Sequence, residues 1–407
     1  MTRNEFARRL GAGTTGATAA RAEPAVIDER DPARFMAAFA SAAASGGDVF
    51  LADPDWSERA RAEMAEVVRF AGANADPDAA RAGGWLMIPS GGTGGRLKFA
   101  RHDHETLAAA VRGFTTHFGF ERVNAIGVLP LHHVSGLMAW IRCALTGGGY
   151  IPWQWKQLES GDLPKLGNEE HVISLVPTQL QRLLNSPNAV EWLGRFHVIF
   201  LGGAPAWPAL LDAASEANLP LSLSYGMTET AAMVTALRPG EFLAGERTSG
   251  AALPHAHVRV DAEGLVRISG ESIFRGYFPE WREAREFMTA DMGRLDARGH
   301  LTLLGRSDSL IITGGKKVNP QDIEAVLRAS GEFSDVAVIG IPDAEWGEAV
   351  VACYPSTQRP SDITRAVAGL TGAERPKHFV AISEWPRNAQ GKVNRAALVA
   401  LAHAAMR

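Results

Sequence analysis

Apolar and polar positions along the chain change their spacing twice. Residues 31–80 are rich in Ala, Arg, Asp and Glu, with apolar residues at helical spacing around Phe35 and Phe39 and again at Met64, Val67 and Val68. Between them the short apolar piece Val49-Phe50-Leu51 reads as a strand. Short apolar runs then alternate with helical ones. GWLMIPSGG is strand and loop, HETLAAAVRGFTTHFGF an amphipathic helix, NAIGVLPL a strand, and VSGLMAWIRCALTGG a helix. HVISLVP is a strand, TQLQRLLNS a helix, and RFHVIFLGGAP strand and loop. This alternation predicts a largely parallel sheet covered by helices. After residue 240 the period falls to two. HAHVRVDAEGLVRISG and GRLDARGHLTLLGR alternate apolar and polar residues around Gly-containing turns, which predicts antiparallel hairpins. A last unit follows Arg306: SLIITGG, PQDIEAVLRAS, VAVIGIPD and VVACYPS, enough for a small α+β domain.

Length and composition narrow the class without changing this picture. A chain of 407 residues has room for two or three domains. With 46% hydrophobic and 21% charged residues it can bury a sizeable core, so a wholly disordered chain is excluded. Lys+Arg 41 against Asp+Glu 45 gives a net charge of −4, which points neither to nucleic acid nor to an anionic membrane surface. Two distant cysteines, Cys143 and Cys353, exclude a disulfide framework and are too few for a Cys-based zinc site. A reducing cytoplasm is expected. No apolar run reaches the roughly 18 residues of a membrane span. The opening residues carry basic groups without an apolar segment after them, which fails as a secretory signal, and Glu5 and Glu23 argue against a transit peptide.

Four segments could carry chemistry. Pro89-Ser90-Gly91-Gly92-Thr93-Gly94-Gly95-Arg96-Leu97-Lys98 follows an apolar strand. Its glycines let backbone N–H groups approach a ligand closely, Ser90 and Thr93 add hydroxyls, and Lys98 adds a cation: a phosphate cradle, or else a Gly-rich surface loop. It is not a Walker A loop, because Lys98 stands between Leu97 and Phe99. In Ser224-Tyr225-Gly226-Met227-Thr228-Glu229-Thr230 a strand ending at Tyr225 leads into a tight turn. A hydroxyl beside a carboxylate suits a phosphate and its Mg²⁺, although Thr228 could equally cap a helix with Glu229 in its first turn. Asp291, at a strand end, could accept both hydroxyls of a ribose with Arg306 nearby; a hairpin-turn Asp and a surface Arg are the alternative. Near the C-terminus Pro386-Arg387-Asn388-Ala389-Gln390-Gly391-Lys392 could bring Lys392 into a cleft as a point charge, or leave it solvated.

Their order is more specific than any one of them. SGGTGG..K, SYGMTET, TADMG, GR.D and a terminal P…GK together resemble the adenylate-forming superfamily of acyl- and aryl-CoA synthetases, adenylation domains and luciferase-like enzymes, from about residue 45 to the end. Within it, LPLHHVSGL, SLVPTQLQRLL and LGGAP resemble the o-succinylbenzoate–CoA ligases of menaquinone or phylloquinone synthesis. Leu97 stands where relatives carry Pro, and Ala290 where they carry Gly, which matters if that position needs a positive φ.

The resemblance implies a large N-terminal domain, 1–307, of helix-covered α/β sheets plus a β-barrel-like part, with a reduced N-terminal subdomain. A small α+β lid, 308–407, hinges near Asp308. It implies an AMP-forming acid–thiol ligase. A small carboxylic acid attacks ATP, giving an acyl-adenylate and diphosphate, and the CoA thiol then displaces AMP. Ser90, Gly91, Gly92, Thr93, Gly94 and Lys98 are expected to hold the β/γ-phosphates, Thr228 the α-phosphate, and Glu229 the Mg²⁺. Gly203, Ala204, Ser224 and Tyr225 would frame the adenine, Gly226 and Met227 would belong to the same ATP/AMP site, and Asp291 with Arg306 would take the ribose. Lys392 would bridge carboxylate and phosphate in the first step. Gly314, Gly315 and Lys316 would face the thiol channel in the second. His133, Ser135, Thr178, Arg182 and Gly202 are the acyl-pocket expectations, with Arg182 and His133 as donors for a second carboxylate. Another acid, or a carrier protein as acceptor, remains the alternative. A non-catalytic ATP-binding homologue would lack Glu229 or Lys392, and both are present. No nucleic-acid or membrane partner is implied, and a homodimer is allowed.

Overall fold

The computed structural model describes residues 1–12, 23–73, 84–90, 97–282, 286–387 and 393–406. Four sheets organise them. The first joins β1 (Ala25–Ile27), β2 (Val49–Leu51), β3 (Leu86–Ser90) and β4 (Lys98–His102) in that order. Its pairs are parallel except β3 with β4, which turn back on each other around the expected phosphate loop. The second holds β5 (Asn124–Gly127), β6 (Tyr150–Pro152), β7 (His171–Leu175), β8 (Val198–Leu201), β9 (Leu221–Met227), β10 (Ala232–Ala236) and β11 (Ala251–Ala252), ordered β11-β10-β9-β8-β7-β5-β6. From β6 to β9 all pairs are parallel, as the strand–helix alternation predicts.

The period-two stretch forms an antiparallel meander of β12 (Ala256–Val260), β13 (Leu265–Gly270), β14 (Glu286–Leu295) and β15 (Leu301–Arg306). The last unit is a sheet of β16 (Ile311–Thr313), β17 (Lys316–Val318), β18 (Ala337–Asp343) and β19 (Gly347–Pro355), with β20 (His378–Ile382) parallel to β19. It packs its own apolar cores, including Ile323, Leu327, Phe333, Val338 and Val350 on one side and Ile339, Val351 and Leu398 on the other.

Local sequence fixes the covering helices. Asp31 caps Pro32–Ser45 through its carboxylate on the Arg34 N–H, proline opens the helix, and Gly46 ends it at φ 86°. Asp103 and Thr106 form a reciprocal capping box on His104–Phe118. Phe35 and Phe39 reach the core with Trp85 and Trp140, and Phe114 packs against Phe118, Phe120 and Phe200. Among the described residues no helix is long and apolar enough to cross a membrane.

Candidate functional site

The C-terminal end of β9 is built for a close turn. It runs to Met227, two residues beyond its expected end at Tyr225. A Cβ on Gly226 would meet the Ala232 carbonyl oxygen at 1.9 Å, so only glycine fits where β10 folds back. Thr228, Glu229 and Thr230 then form one 3-10 turn, capped by Met227 rather than by Thr228. The Met227 N–H donates to Thr230 Oγ1 at 3.0 Å. Ala231 and Ala232 follow at φ 51° and 75°, a conformation that L residues seldom hold, which places backbone strain directly after the turn.

The turn buries Glu229, whose Oε1 accepts two hydroxyls: Ser90, at 2.6 Å from the end of β3, and Tyr277, at 2.7 Å. Two of the expected residues, 139 positions apart, thus meet where β3 enters the phosphate loop. Burial, with Glu229 second, pushes the Tyr277 phenol up, so it stays protonated and donates. Lys98 is exposed, with Nζ 5.6 Å from the Tyr277 ring centroid. The Thr228 carbonyl accepts from His102 Nε2 at 2.7 Å, which fixes the tautomer. Burial holds His102 down to about 4, so the ring is neutral at pH 7.

A second cluster forms across β9, β14 and β15. The Tyr225 hydroxyl donates to Asp291 Oδ2 at 2.7 Å, while Arg306 donates to Asp291 Oδ1 at 3.3 Å. Asp291 and Arg306 are cross-strand partners. Asp291 lies inside β14, next to a register shift at Met292/Gly293, rather than at a strand end. Arg306 also grips Asp308 through two N–H groups, at 2.9 and 2.6 Å. Ala290 is not among the non-glycine residues with positive φ, which in the described chain are Asn218, Ala231 and Ala232, so the methyl there costs no backbone strain. Gly202 lies against Ser224, whose Oγ a Cβ would approach to 2.9 Å. Gly203 holds φ 79°, and Ala204 is exposed beside it.

Beyond the C-terminal ends of β5, β6 and β7 lies a cavity of about 490 Å³. Thr178 and Arg182, one turn apart on the helix Pro177–Leu184, line it, with Trp153, Trp155 and Arg30. Arg182 is already paired with Glu159. His132 rather than His133 lines the cavity; His133 is the N-cap residue of the helix Val134–Thr146, and Ser135 is half-buried on that helix. Arg387, from the last unit, also reaches this wall.

Gly314 and Gly315, at φ 55° and 74°, make the two-residue turn between β16 and β17, where Lys316 is exposed. Asp308 lies in the 3-10 turn Ser307–Ser309 that joins the third sheet to the fourth. Gly91, Gly92, Thr93, Gly94 and Lys392 lie outside the described residues. The sequence reading missed Tyr277, His102 and Arg30. No motif flags them: Tyr277 and His102 reach the turn from 48 and 126 positions away, and Arg30 meets the helix Pro177–Leu184 only across the cavity.

Comparison with known proteins accords with this geometry. Residues 18–278 match the AMP-binding enzyme family and 322–392 its C-terminal domain. A 2-succinylbenzoate–CoA ligase from Listeria monocytogenes is 32% identical over 290 residues, covering 68% of this chain and 61% of that one. The chain thus spans about three fifths of the length of that relative. A probable 2-succinylbenzoate–CoA ligase from Mycobacterium tuberculosis is 31% identical over 341 residues, covering 77% and 83%. Among solved structures, o-succinylbenzoate CoA synthetase from Bacillus subtilis in complex with its acyl-adenylate intermediate superimposes with a TM-score of 0.77 at 21% identity, covering 97% of this chain and 91% of that one. ATP-bound MatB from Rhodopseudomonas palustris gives 0.76 at 24%, covering 98% and 91%. On the matched length, the chain belongs to the AMP-binding enzyme family.

Proposed function

We propose that the chain is an ATP-dependent acid–CoA ligase that works through an acyl-adenylate, with o-succinylbenzoate as the acid. The observation that carries the reading is that, at the C-terminal end of β9, Ser90 and Tyr277 converge on Glu229 while Tyr225 and Arg306 converge on Asp291. One cluster offers hydroxyls and a buried carboxylate for phosphate and metal, the other a carboxylate for ribose hydroxyls. The acid itself is argued from the named relatives. MatB superimposes as well as the succinylbenzoate enzyme does, so fold alone does not select the acid, and another aryl or acyl acid, or a carrier-protein acceptor, stays as the second reading.

The residues divide the work by charge. Glu229 suits Mg²⁺: it is one buried carboxylate with hydroxyls beside it, and Mg²⁺ completes its shell from substrate phosphates and water. The bound ion would neutralise phosphate charge. Ser90 and Tyr277 hold Glu229 in place. Asp291 accepts the ribose hydroxyls, with the Arg306 guanidinium beside it. Lys98, Thr228 and the loop Gly91–Gly94 cradle phosphates, and Gly203 and Ala204 edge the adenine. Lys392 supplies charge to the attacking carboxylate and the α-phosphate, so the first step proceeds by positioning and charge neutralisation. The Gly314–Gly315 turn with Lys316 serves the second step once the lid turns. We take 1–307 and 308–407 as the two domains, a division supported by the family matches ending at 278 and resuming at 322. Both cysteines are free and buried, which suits the cytoplasm.

The test is diphosphate release across a panel of carboxylic acids, followed by transfer to CoA or to a carrier protein. o-Succinylbenzoate should exceed benzoate and simple fatty acids by at least roughly tenfold in kcat/KM, since a missing carboxylate leaves donors unpaired. A panel won by a fatty acid overturns the substrate and keeps the ligase.

A further inference from the structure

At the wall of the cavity that Thr178 and Arg182 line, three side chains converge. Asp53 stands two residues past β2, and His132 and His133 end the loop leading from β5 into the helix Val134–Thr146. One carboxylate oxygen of Asp53 and one ring nitrogen from each histidine lie within 4.8 Å of one another. His132 Nε2 is 3.6 Å from Asp53 Oδ1, too far for a hydrogen bond, and the two side chains are only 9% and 10% exposed. That nitrogen is buried and makes no hydrogen bond. A buried polar atom without a hydrogen bond is costly, and one facing a carboxylate and a second imidazole has the surroundings of a metal ligand.

We propose that Asp53, His132 and His133 bind one first-row divalent cation of the zinc class. Two neutral imidazoles and a carboxylate are the donors such ions take, whereas Mg²⁺ and Ca²⁺ seek oxygen alone. In a tetrahedral shell with bonds of about 2.0–2.2 Å, neighbouring ligand atoms lie roughly 3.3–3.6 Å apart. The 3.6 Å between His132 Nε2 and Asp53 Oδ1 already matches. The 4.8 Å limit on the third ligand atom leaves on the order of 1 Å to close, within reach of a side-chain torsion. Asp53 is steadied by the Asp55 N–H on Oδ1 at 2.8 Å, and the His132 and His133 ring centroids lie 4.4 Å apart. His132 is a wall residue of the cavity, so three protein ligands leave a fourth position open on the substrate side. Among the described residues the other such group, Glu246, Asp296 and His300, is already engaged by Arg298 on both its carboxylates.

The test uses the full chain, stripped with chelator and free of nucleotide and acid, so it stands whatever the enzyme's substrate. Titration with Co²⁺ should give the visible absorption of a four- or five-coordinate ion, saturating at a single equivalent and removed by Zn²⁺. His132→Ala should weaken binding on the order of 100-fold or more, and Asp53→Asn by at least about tenfold. Glu246→Gln should leave the titration unchanged. Urea midpoints report folding of each variant; if His132→Ala does not fold, His133→Gln, at a half-buried position, carries the same expectation. Absence of a saturable Co²⁺ spectrum in the folded wild type, or a folded ligand variant that binds as tightly as wild type, overturns the site and leaves Asp53–His132 as a plain ion pair.

Discussion

Glu229→Gln separates the metal role of this residue from its part in the fold. In the resting chain Oε1 accepts two hydroxyls, at 2.6 and 2.7 Å. Hydrogen bonds to a charged group are worth about 1.5–3 kcal/mol, and neutral ones about 0.5–1.5. The amide therefore gives up about 1 kcal/mol per bond, or about 2 for the pair. Removing a buried charge returns part of that, because an amide is easier to bury than a carboxylate. Folding stability should fall by no more than about 2 kcal/mol. A bound Mg²⁺ would have no such compensation, since it would lose a full negative charge from its shell. One lost charge-assisted contact of about 1.5–3 kcal/mol corresponds to a roughly 10- to 150-fold higher Mg²⁺ requirement. The assay is diphosphate release at fixed ATP with free Mg²⁺ titrated, with urea midpoints on the same preparation. If the folded variant titrates with Mg²⁺ like wild type, the reasoning fails, and Glu229 serves only to hold the Ser90 and Tyr277 hydroxyls.

Three further expectations rest on the same geometry. Asp291→Asn should raise the KM for ATP roughly 10- to 100-fold and leave that for CoA unchanged, because it weakens acceptance of the ribose hydroxyls; equal rises in both would refute the ribose role. Burial holds His102 down to about 4 against an ordinary 6.5, so below pH 6.5 the unfolded chain takes up a proton that the folded chain refuses. The stability present above pH 6.5 is then lost as pH falls toward about 4, on the order of 3 kcal/mol, and His102→Gln should flatten the urea-midpoint profile in that window; parallel profiles would count against it. Asp308→Pro fixes φ near roughly −65° between the third and fourth sheets and should spare diphosphate release while losing most thioester formation. Asp308→Asn controls for the lost ion pair, and equal loss of both half-reactions in the proline variant would mean misfolding.

Much of this site was legible because its loops advertise themselves. Gly226 is needed for the approach of Ala232, and the four glycines from Gly91 to Gly95 mark a loop whatever it binds. The parallel strands were equally plain, since buried runs such as Val198–Leu201 are apolar throughout. What stayed hidden are partners set by chain return. Tyr277 reaches Glu229 from 48 positions away, and His102 supports Thr228 from 126. Nothing in the local pattern of either residue encodes that contact. The sequence suggests a strand end for Asp291, with a hairpin turn as the alternative. In the fold it sits within β14, where a register shift beside it alters the pairing. The pair His132-His133 shows the remaining limit. Adjacent identical residues share every sequence property, and only the start of the helix at Val134 decides that His132 lines the cavity while His133 caps the helix.

Arg306 ties Asp291 to the boundary of the last unit. Its guanidinium makes one bond of 3.3 Å to Asp291 and two, of 2.9 and 2.6 Å, to Asp308. The bidentate grip is the stronger of the two, and the bond to Asp308 is the leading cause that raises Arg306 above its usual range. Asp291 already spends its other oxygen on Tyr225. A ribose on Asp291 would therefore draw on the same cation that holds Asp308, and loosening Asp308 would free Arg306 for the nucleotide. Were the last sheet to swing about the Ser307–Ser309 turn, this one arginine would couple occupancy of the cleft to the position of the unit bearing Lys316 and Lys392. A lysine could not replace it, since a point charge cannot hold two carboxylates in fixed directions at once.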